Sequence, residues 1–196
     1  LKDRISQQTD LNLRTLPIGT FHSIALRVLR AIGANVKIKS DFEIWAKDWE
    51  RIAAVKMFLK NAIDEGVYED VSKTDASPEK ALEFIDAVRE KLIDPEDAAI
   101  LASEIGNDAD AAHADVYARY EKYLDQENKI DFPRMVQWAC KSLAKDNENG
   151  SSYAKQFSHV LVDEFQDINF AQKTFVDLLL KGGASVWAVG DDRLFW

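Results

Sequence analysis

Two short apolar runs near the C-terminal end, with a helix-length segment between them, limit the possible folds more than any other feature. Val160, Leu161 and Val162 form a compact, β-branched-rich run that ends in Asp163 and Glu164. Residues 184–190 (ASVWAVG) form a second run, and residues 170–180 have the length and composition of a helix. Strand, helix, strand, with each strand short and apolar throughout, predicts a parallel sheet. The fold class expected from pattern alone is therefore α/β.

Most of what precedes this unit reads as helix. Ile24, Ala25, Val28, Leu29 and Ile32 form a helical stripe. Ser40-Asp41-Phe42-Glu43 has capping-box spacing and predicts a helix from there to about Ile63. Ser77-Pro78 and Asp94-Pro95 each place a capping residue before proline at a first helical position. Further helices are expected at about 113–126 and 133–145, with connections at 66–76 and 106–112. Residues 16–21 (LPIGTF) read as a short buried strand turning at Gly19. The aromatic residues Tyr117, Tyr120, Trp45, Trp49 and Trp138 are expected to be core packing rather than a stacking platform. This describes one α/β unit interrupted by a helical insertion at about 22–130.

Charge and cysteine usage narrow the function. The net charge of −9 argues against nucleic-acid binding. The charge is uneven, however: residues 61–130 hold 19 acidic against 7 basic side chains, a net of −12, so the remainder sums to +3. With a single cysteine, Cys140, no intrachain disulfide can form, and scattered histidines offer no metal-ligand spacing. A reducing, cytoplasmic setting is expected. No run approaches the ~18 apolar residues of a membrane span.

Ligands of open α/β sheets bind at the carboxyl ends of the strands. Asp163 and Glu164 lie at one predicted strand end, and Gly190, Asp191 and Asp192 at the next. An acid there can hold Mg²⁺, and a neighbouring carboxylate can orient or deprotonate an attacking water. An apolar run ending in acids is also what a strand reaching solvent looks like, so this pattern alone does not separate a nucleotide site from a plain turn.

Longer stretches are more specific. VLVDEFQD at 160–167 resembles motif II of UvrD/Rep-type superfamily 1 helicases, and VWAVGDD at 186–192 resembles the start of motif III. GTFHSIALRVLR at 19–30, LKDRI at 1–5 and VYARYEKYLDQENKIDF at 116–132 are similar to three further family segments, all in family order. The resemblance implies a partial RecA-like P-loop NTPase sheet, residues 1–21 and 131–196, interrupted by a mostly α-helical inserted domain, residues 22–130. It implies ATP and Mg²⁺ as cofactors, with Asp163 linked to Mg²⁺ and Glu164 catalytic. Gln166 and Asp191 join them in the nucleotide site. Thr20, His22 and Asp167 fall on the DNA side. The implied partners are single-stranded and duplex DNA and the rest of a helicase chain, with its phosphate-loop segment and second lobe. No membrane partner is implied.

The resemblance has gaps. No Gly-x-x-x-x-Gly-Lys-Ser/Thr phosphate loop occurs in the 196 residues. Both ends read as though further sequence adjoins them. The fragment alone is therefore expected to bind ATP weakly or not at all, and to be inactive. Motif III departs from the family after Asp192, reading Arg193-Leu194-Phe195-Trp196 where a γ-phosphate-sensing glutamine is usual. Arg134 replaces an acid of the family pattern, with no reason visible in the sequence. The implied function is an ATP-dependent DNA helicase or translocase, moving 3′ to 5′. The alternative is a degenerate helicase-like protein that binds DNA or a partner without productive hydrolysis.

Overall fold

The computed structural model describes residues 16–72, 74–148 and 153–191. The match at residues 1–5 and the end of motif III at residues 192–196 lie outside them. Seven helices are described: α1 (Phe21–Ile32), α2 (Asp48–Asp64), α3 (Pro78–Glu90), α4 (Pro95–Ile105), α5 (Asp108–Gln126), α6 (Phe132–Glu148) and α7 (Phe170–Leu180). Strands β1 (Glu43–Trp45) and β2 (Lys129–Asp131) pair in parallel, as do β3 (His159–Val162) and β4 (Ser185–Ala188). No helix among the described residues is long and apolar enough to cross a membrane.

The α/β expectation is met in outline: the fold is mostly helical with a few short parallel strands. β3 and β4 run in register from His159 opposite Ser185 to Val162 opposite Ala188, with α7 as the crossover. Asn169 starts α7 with a reciprocal capping box: its side chain accepts the Gln172 N–H, and the Gln172 side chain accepts the Asn169 N–H. α7 is followed by Gly182, where a Cβ would overlap the Ala154 carbonyl group and lie 2.7 Å from the Lys155 nitrogen. Both obstacles are backbone and cannot swing aside. Gly182→Ala is expected to destabilise the chain by about 1–3 kcal/mol, the usual cost of overpacking. A lowered urea midpoint with unchanged slope would register it.

Two hydrophobic clusters divide the interior. In the first, Ala25, Val28 and Leu29 of α1 pack with Met135, Ala139 and Leu143 of α6 and Phe175 and Leu179 of α7. In the second, Val55 and Leu59 of α2, Ile85 of α3, and Val116, Tyr117, Tyr120 and Leu124 of α5 meet. α1, which the expected boundary at residue 22 assigns to the insertion, thus shares its core with α6 and α7. The reason is its stripe: Ala25, Val28 and Leu29 face α6, leaving Arg27 and Arg30 in solvent. The excursion into the second cluster begins after β1 and returns at β2.

Four local expectations are corrected. Residues 16–20 form no strand; Leu16 and Pro17 are exposed, and Thr20 caps α1 instead. The Ser40–Glu43 capping box is not used: Phe42 is buried, Glu43 enters β1, and α2 starts after Lys47 without a side-chain cap. Trp49 is 64% exposed rather than core, and Trp138 is only partly buried. β3 and β4 are not enclosed on both faces: Leu161 is 77% and Trp187 64% exposed, although Val162 is buried.

A buried charge network ties the two clusters together. Asp131, at the end of β2, is 0% exposed. Its carboxylate accepts from Arg51 Nε at 3.1 Å, Arg89 Nη1 at 2.8 Å and Tyr120 OH at 2.8 Å. It also accepts the Arg134 N–H at 3.1 Å, capping α6, with Pro133 in the first turn. Arg89 lies over the rings of Tyr117 and Tyr120 and pairs with Glu121. Arg134 explains itself here. It is buried, bonds Glu121 at 2.7 Å and the Lys129 carbonyl at 2.9 Å, pairs with Asp125, and lies 5.1 Å from the Trp138 ring centre. An acid at position 134 would face Glu121 and Asp125, so the reversed charge answers the acidic surface of α5.

Candidate nucleotide site at the strand ends

The parallel register sets the geometry. Because Val162 lies opposite Ala188, both chains leave the sheet at the same end. The ladder continues past the strands: the Val189 N–H donates to the Val162 carbonyl at 2.9 Å, and the Phe165 N–H to the Val189 carbonyl at 2.9 Å. Asp163 and Glu164 form the corner between those bonds, and both are exposed. Glu164 has φ 50°, in the left-handed region. A non-glycine residue there is uncommon and costs about 1–2 kcal/mol. A short 3-10 turn, Phe165–Asp167, carries the chain back toward α7.

Hydrogen bonds fix the side chains at this corner. Asp163 Oδ1 accepts the Glu164 N–H at 3.1 Å. Gln166 Nε2 donates to Glu164 Oε2 at 2.6 Å, and Gln166 Oε1 accepts the Asp191 N–H at 3.1 Å. One glutamine therefore spans the two strand ends. Gly190 makes this possible, since a Cβ there would collide with Gln166 Oε1 and lie 3.2 Å from the Phe165 nitrogen. The Asp167 N–H closes the turn onto the Glu164 carbonyl at 2.9 Å. The structure thus brings together Asp163, Glu164, Gln166, Asp167 and Asp191.

Thr20 and His22 lie on a separate element, at the start of α1. The Thr20 hydroxyl oxygen accepts the Ser23 N–H at 3.3 Å, so it acts as an N-cap. His22 is half-buried, its ring centre 5.2 Å from that of Phe132, and burial lowers its pKa, so the ring is neutral at pH 7.

Among the described residues, no group of three or more His, Cys, Asp or Glu side chains is placed to hold a metal on its own. Mg²⁺ does not need such a cage, because it keeps several waters and binds through one or two carboxylates and substrate phosphates. Exposed oxygen donors at Asp163 and Glu164 fit that mode. Cys140 is not a nucleophile here: it is buried, donates to the Ala171 carbonyl, and burial pushes its pKa up to about 12.

Sequence reasoning found the acids but not the Gln166 bridge, which depends on the in-register sheet. It also passed over Arg51, Arg89 and Glu121. Asp131-Phe132-Pro133 was the available signal for that network, being an acid two residues before a proline where a helix begins.

Comparison with known proteins gives a consistent result. The family model described as the UvrD/REP helicase N-terminal domain matches residues 1–193. A probable DNA helicase II homolog of Mycoplasma capricolum is 28% identical over 97% of this chain and 26% of its own length. DNA helicase II of Escherichia coli is 26% identical over 98% of this chain and 25% of its own length. The ATP-dependent DNA helicase UvrD1 of Mycobacterium bovis is 29% identical over 90% and 22%. The chain spans about a quarter of the length of these relatives.

Proposed function

This chain belongs to the UvrD/Rep helicase family, and from that premise we propose that it forms part of the first RecA-like lobe, with its helical insertion, of an ATP-dependent DNA helicase. The observation that carries this is the corner at the strand ends. Asp163 and Glu164 stand exposed after β3, and Gln166 ties Glu164 to Asp191 after β4.

In this proposal Asp163 holds hydrated Mg²⁺. One of its oxygens takes the Glu164 N–H, and the other has no partner among the described residues. When bound, Mg²⁺ would supply positive charge that stabilises the negative charge developing on the phosphates. Glu164 accepts the proton of the attacking water, its carboxylate oriented by the Gln166 amide. Gln166 also holds the Asp191 N–H, so movement at either strand end reaches the other. Asp167, Thr20 and His22 are assigned to the DNA side, where translocation runs 3′ to 5′. The neutral His22 ring presents a polar edge that can donate or accept a hydrogen bond. The phosphate loop and second lobe belong to other parts of the same protein, in a cytoplasmic setting, and the fragment alone is inactive. The open apolar faces around Leu161 and Trp187 are covered by further strands of that lobe.

Arg193 and Leu194, where the family carries its sensing glutamine, favour a second reading in which DNA binding persists without productive hydrolysis. Steady-state ATP hydrolysis by the full-length protein, with and without single-stranded DNA, separates the two. Turnover that rises with DNA supports the motor; retained DNA binding with no turnover supports the second reading.

A further inference from the structure

A cleft of about 280 Å³ opens where the two hydrophobic clusters meet. One side is the segment after α1, from the 3-10 turn Gly33–Val36 to Phe42. The other is the end of α5, the turn at Asn128, β2 and the first turns of α6. Its apolar lining comes from Ile38, Phe42 and Ile130 of the first cluster and Leu124 of the second. None of these residues belongs to the strand-end corner that carries Asp163 and Glu164.

The polar groups around the cleft are unevenly engaged. The Arg134 guanidinium is held by Glu121, Asp125 and the Lys129 carbonyl. The Lys129 ammonium lies 4.7 Å from the Trp45 ring centre and 3.8 Å from a Glu127 carboxylate oxygen. Asn128 Nδ2 donates to Asp41 at 3.1 Å. Lys37 and Lys39 remain, both exposed and neither paired with a carboxylate among the described residues. Lys91 and Lys181 are unpaired too, but only Lys37 and Lys39 of these four border the cleft. Trp138 also borders it, and its indole N–H is buried without an acceptor among the described residues.

The backbone supplies a second observation. Among the described residues, four non-glycine residues have a positive φ, and two of them, Lys37 at 65° and Asn128 at 53°, border this cleft. Lys37 closes the 3-10 turn, its N–H donating to the Ala34 and Gly33 carbonyls. Glycine does this without strain, whereas lysine in the left-handed region lowers stability. A cation is thus kept at the rim against the preference of the backbone, a pattern that collects at ligand sites.

We propose that this cleft binds a small anion with a flat apolar body, of the aromatic carboxylate class. The ring would lie against Ile38, Phe42, Leu124 and Ile130. The carboxylate would meet Lys37 and Lys39, and the Trp138 indole would turn to donate its N–H. The volume falls just below the ~300–1,000 Å³ of pockets for drug-sized molecules, so the ligand is small. Touching both clusters, it would brace α5 against the segment after α1 and raise stability with occupancy.

Ligand-observed NMR titration of 2-naphthoate against the full-length protein tests this. Binding should saturate with a dissociation constant of about 1 mM or below, the affinity expected of a ligand this small. 2-Naphthylmethanol, which keeps the rings and lacks the charge, should bind about 10-fold more weakly, the effect of losing a charge-assisted hydrogen bond. Lys37→Gly should weaken 2-naphthoate binding by about the same factor while raising the urea midpoint, because glycine relieves the left-handed strain. A lysine with only a structural role would leave the affinity unmoved. Lys39→Gln should also weaken binding, whereas Lys91→Gln and Lys181→Gln should not. The proposal is overturned if 2-naphthoate shows no saturable binding, if the alcohol binds as tightly, or if Lys37→Gly and Lys39→Gln both bind like wild type.

Discussion

Replacing Glu164 by glutamine in the full-length protein should lower DNA-stimulated ATP turnover by about 10²–10⁴-fold, the usual contribution of a positioned general base. The substitution is chosen to be silent structurally. A glutamine at 164 keeps an oxygen to accept the Gln166 amide now bound at 2.6 Å, so the bridge on to Asp191 can persist. It keeps the same backbone demand at φ 50°. What it removes is the lone pair that takes a proton. The expected signature is a collapse of kcat, with KM for ATP and affinity for single-stranded DNA nearly unchanged. Asp163→Asn should behave differently, weakening Mg²⁺-dependent nucleotide binding as well. Turnover within a few-fold of wild type in the Glu164→Gln protein would show that the proton goes elsewhere.

Asp131→Ala should be among the most destabilising single changes in the chain, costing about 3–5 kcal/mol out of a total stability of about 5–15 kcal/mol for a domain. Removing the carboxylate strands Arg51 Nε, Arg89 Nη1 and the Tyr120 hydroxyl, and also uncaps α6. The acid has a measurable fingerprint. Burial alone would raise its pKa, but the Arg89 and Arg51 guanidiniums and the Tyr120 hydroxyl outweigh burial and hold it at about 2. A carboxylate depressed in the folded state contributes stability above its unfolded value of about 3.9. That contribution is lost as pH falls through about 2. Wild-type stability should therefore decline across that window, and Asp131→Ala should flatten part of the decline. Glu121, also held low by Arg89 and Arg134 against its burial, retains the rest. Urea titrations at pH 7 and between pH 4 and 2 measure both effects. A loss under 1 kcal/mol at pH 7 would mean that water or rearranged partners replace the carboxylate.

How much of this was legible from residues alone depended on the range of the interaction that decides each feature. α3 was legible because Ser77 and Pro78 act within one turn: the Ser77 side chain accepts the Lys80 N–H. α7 was legible because its span matches its apolar content. The Ser40–Glu43 box failed because a partner far along the chain competes for the same backbone, with the Glu43 N–H donating to the Asn128 carbonyl at 2.9 Å. Three-residue strands such as β1 and β2 are too short for any pattern to announce them. At the site, the acids could be placed because a strand end fixes where its next residues lie. The Gln166 bridge could not, because it needs the register of β4 against β3. Arg134 was opaque for the same reason, its meaning residing in Glu121 and Asp125 on another helix.

The parallel clasp of β1 on β2 bears on how such a chain can change over generations. Glu43–Trp45 lies hydrogen-bonded beside Lys129–Asp131, so the excursion between them leaves and rejoins the rest at a single doorway. The entropy of closing a loop grows only slowly with its length, about 0.6 kcal/mol per doubling. Turns within the excursion that do not touch α6 or α7 can therefore lengthen, shorten or be replaced with little consequence for those helices. The exceptions are Arg51 and Arg89, which reach Asp131, Glu121 and Asp125, which hold Arg134, and the turn between α3 and α4, where the Ile93 carbonyl and Asp94 accept from Gln137 and Lys141 of α6. A foreign module grafted at this position would need to bring its own two cations or lose the acid.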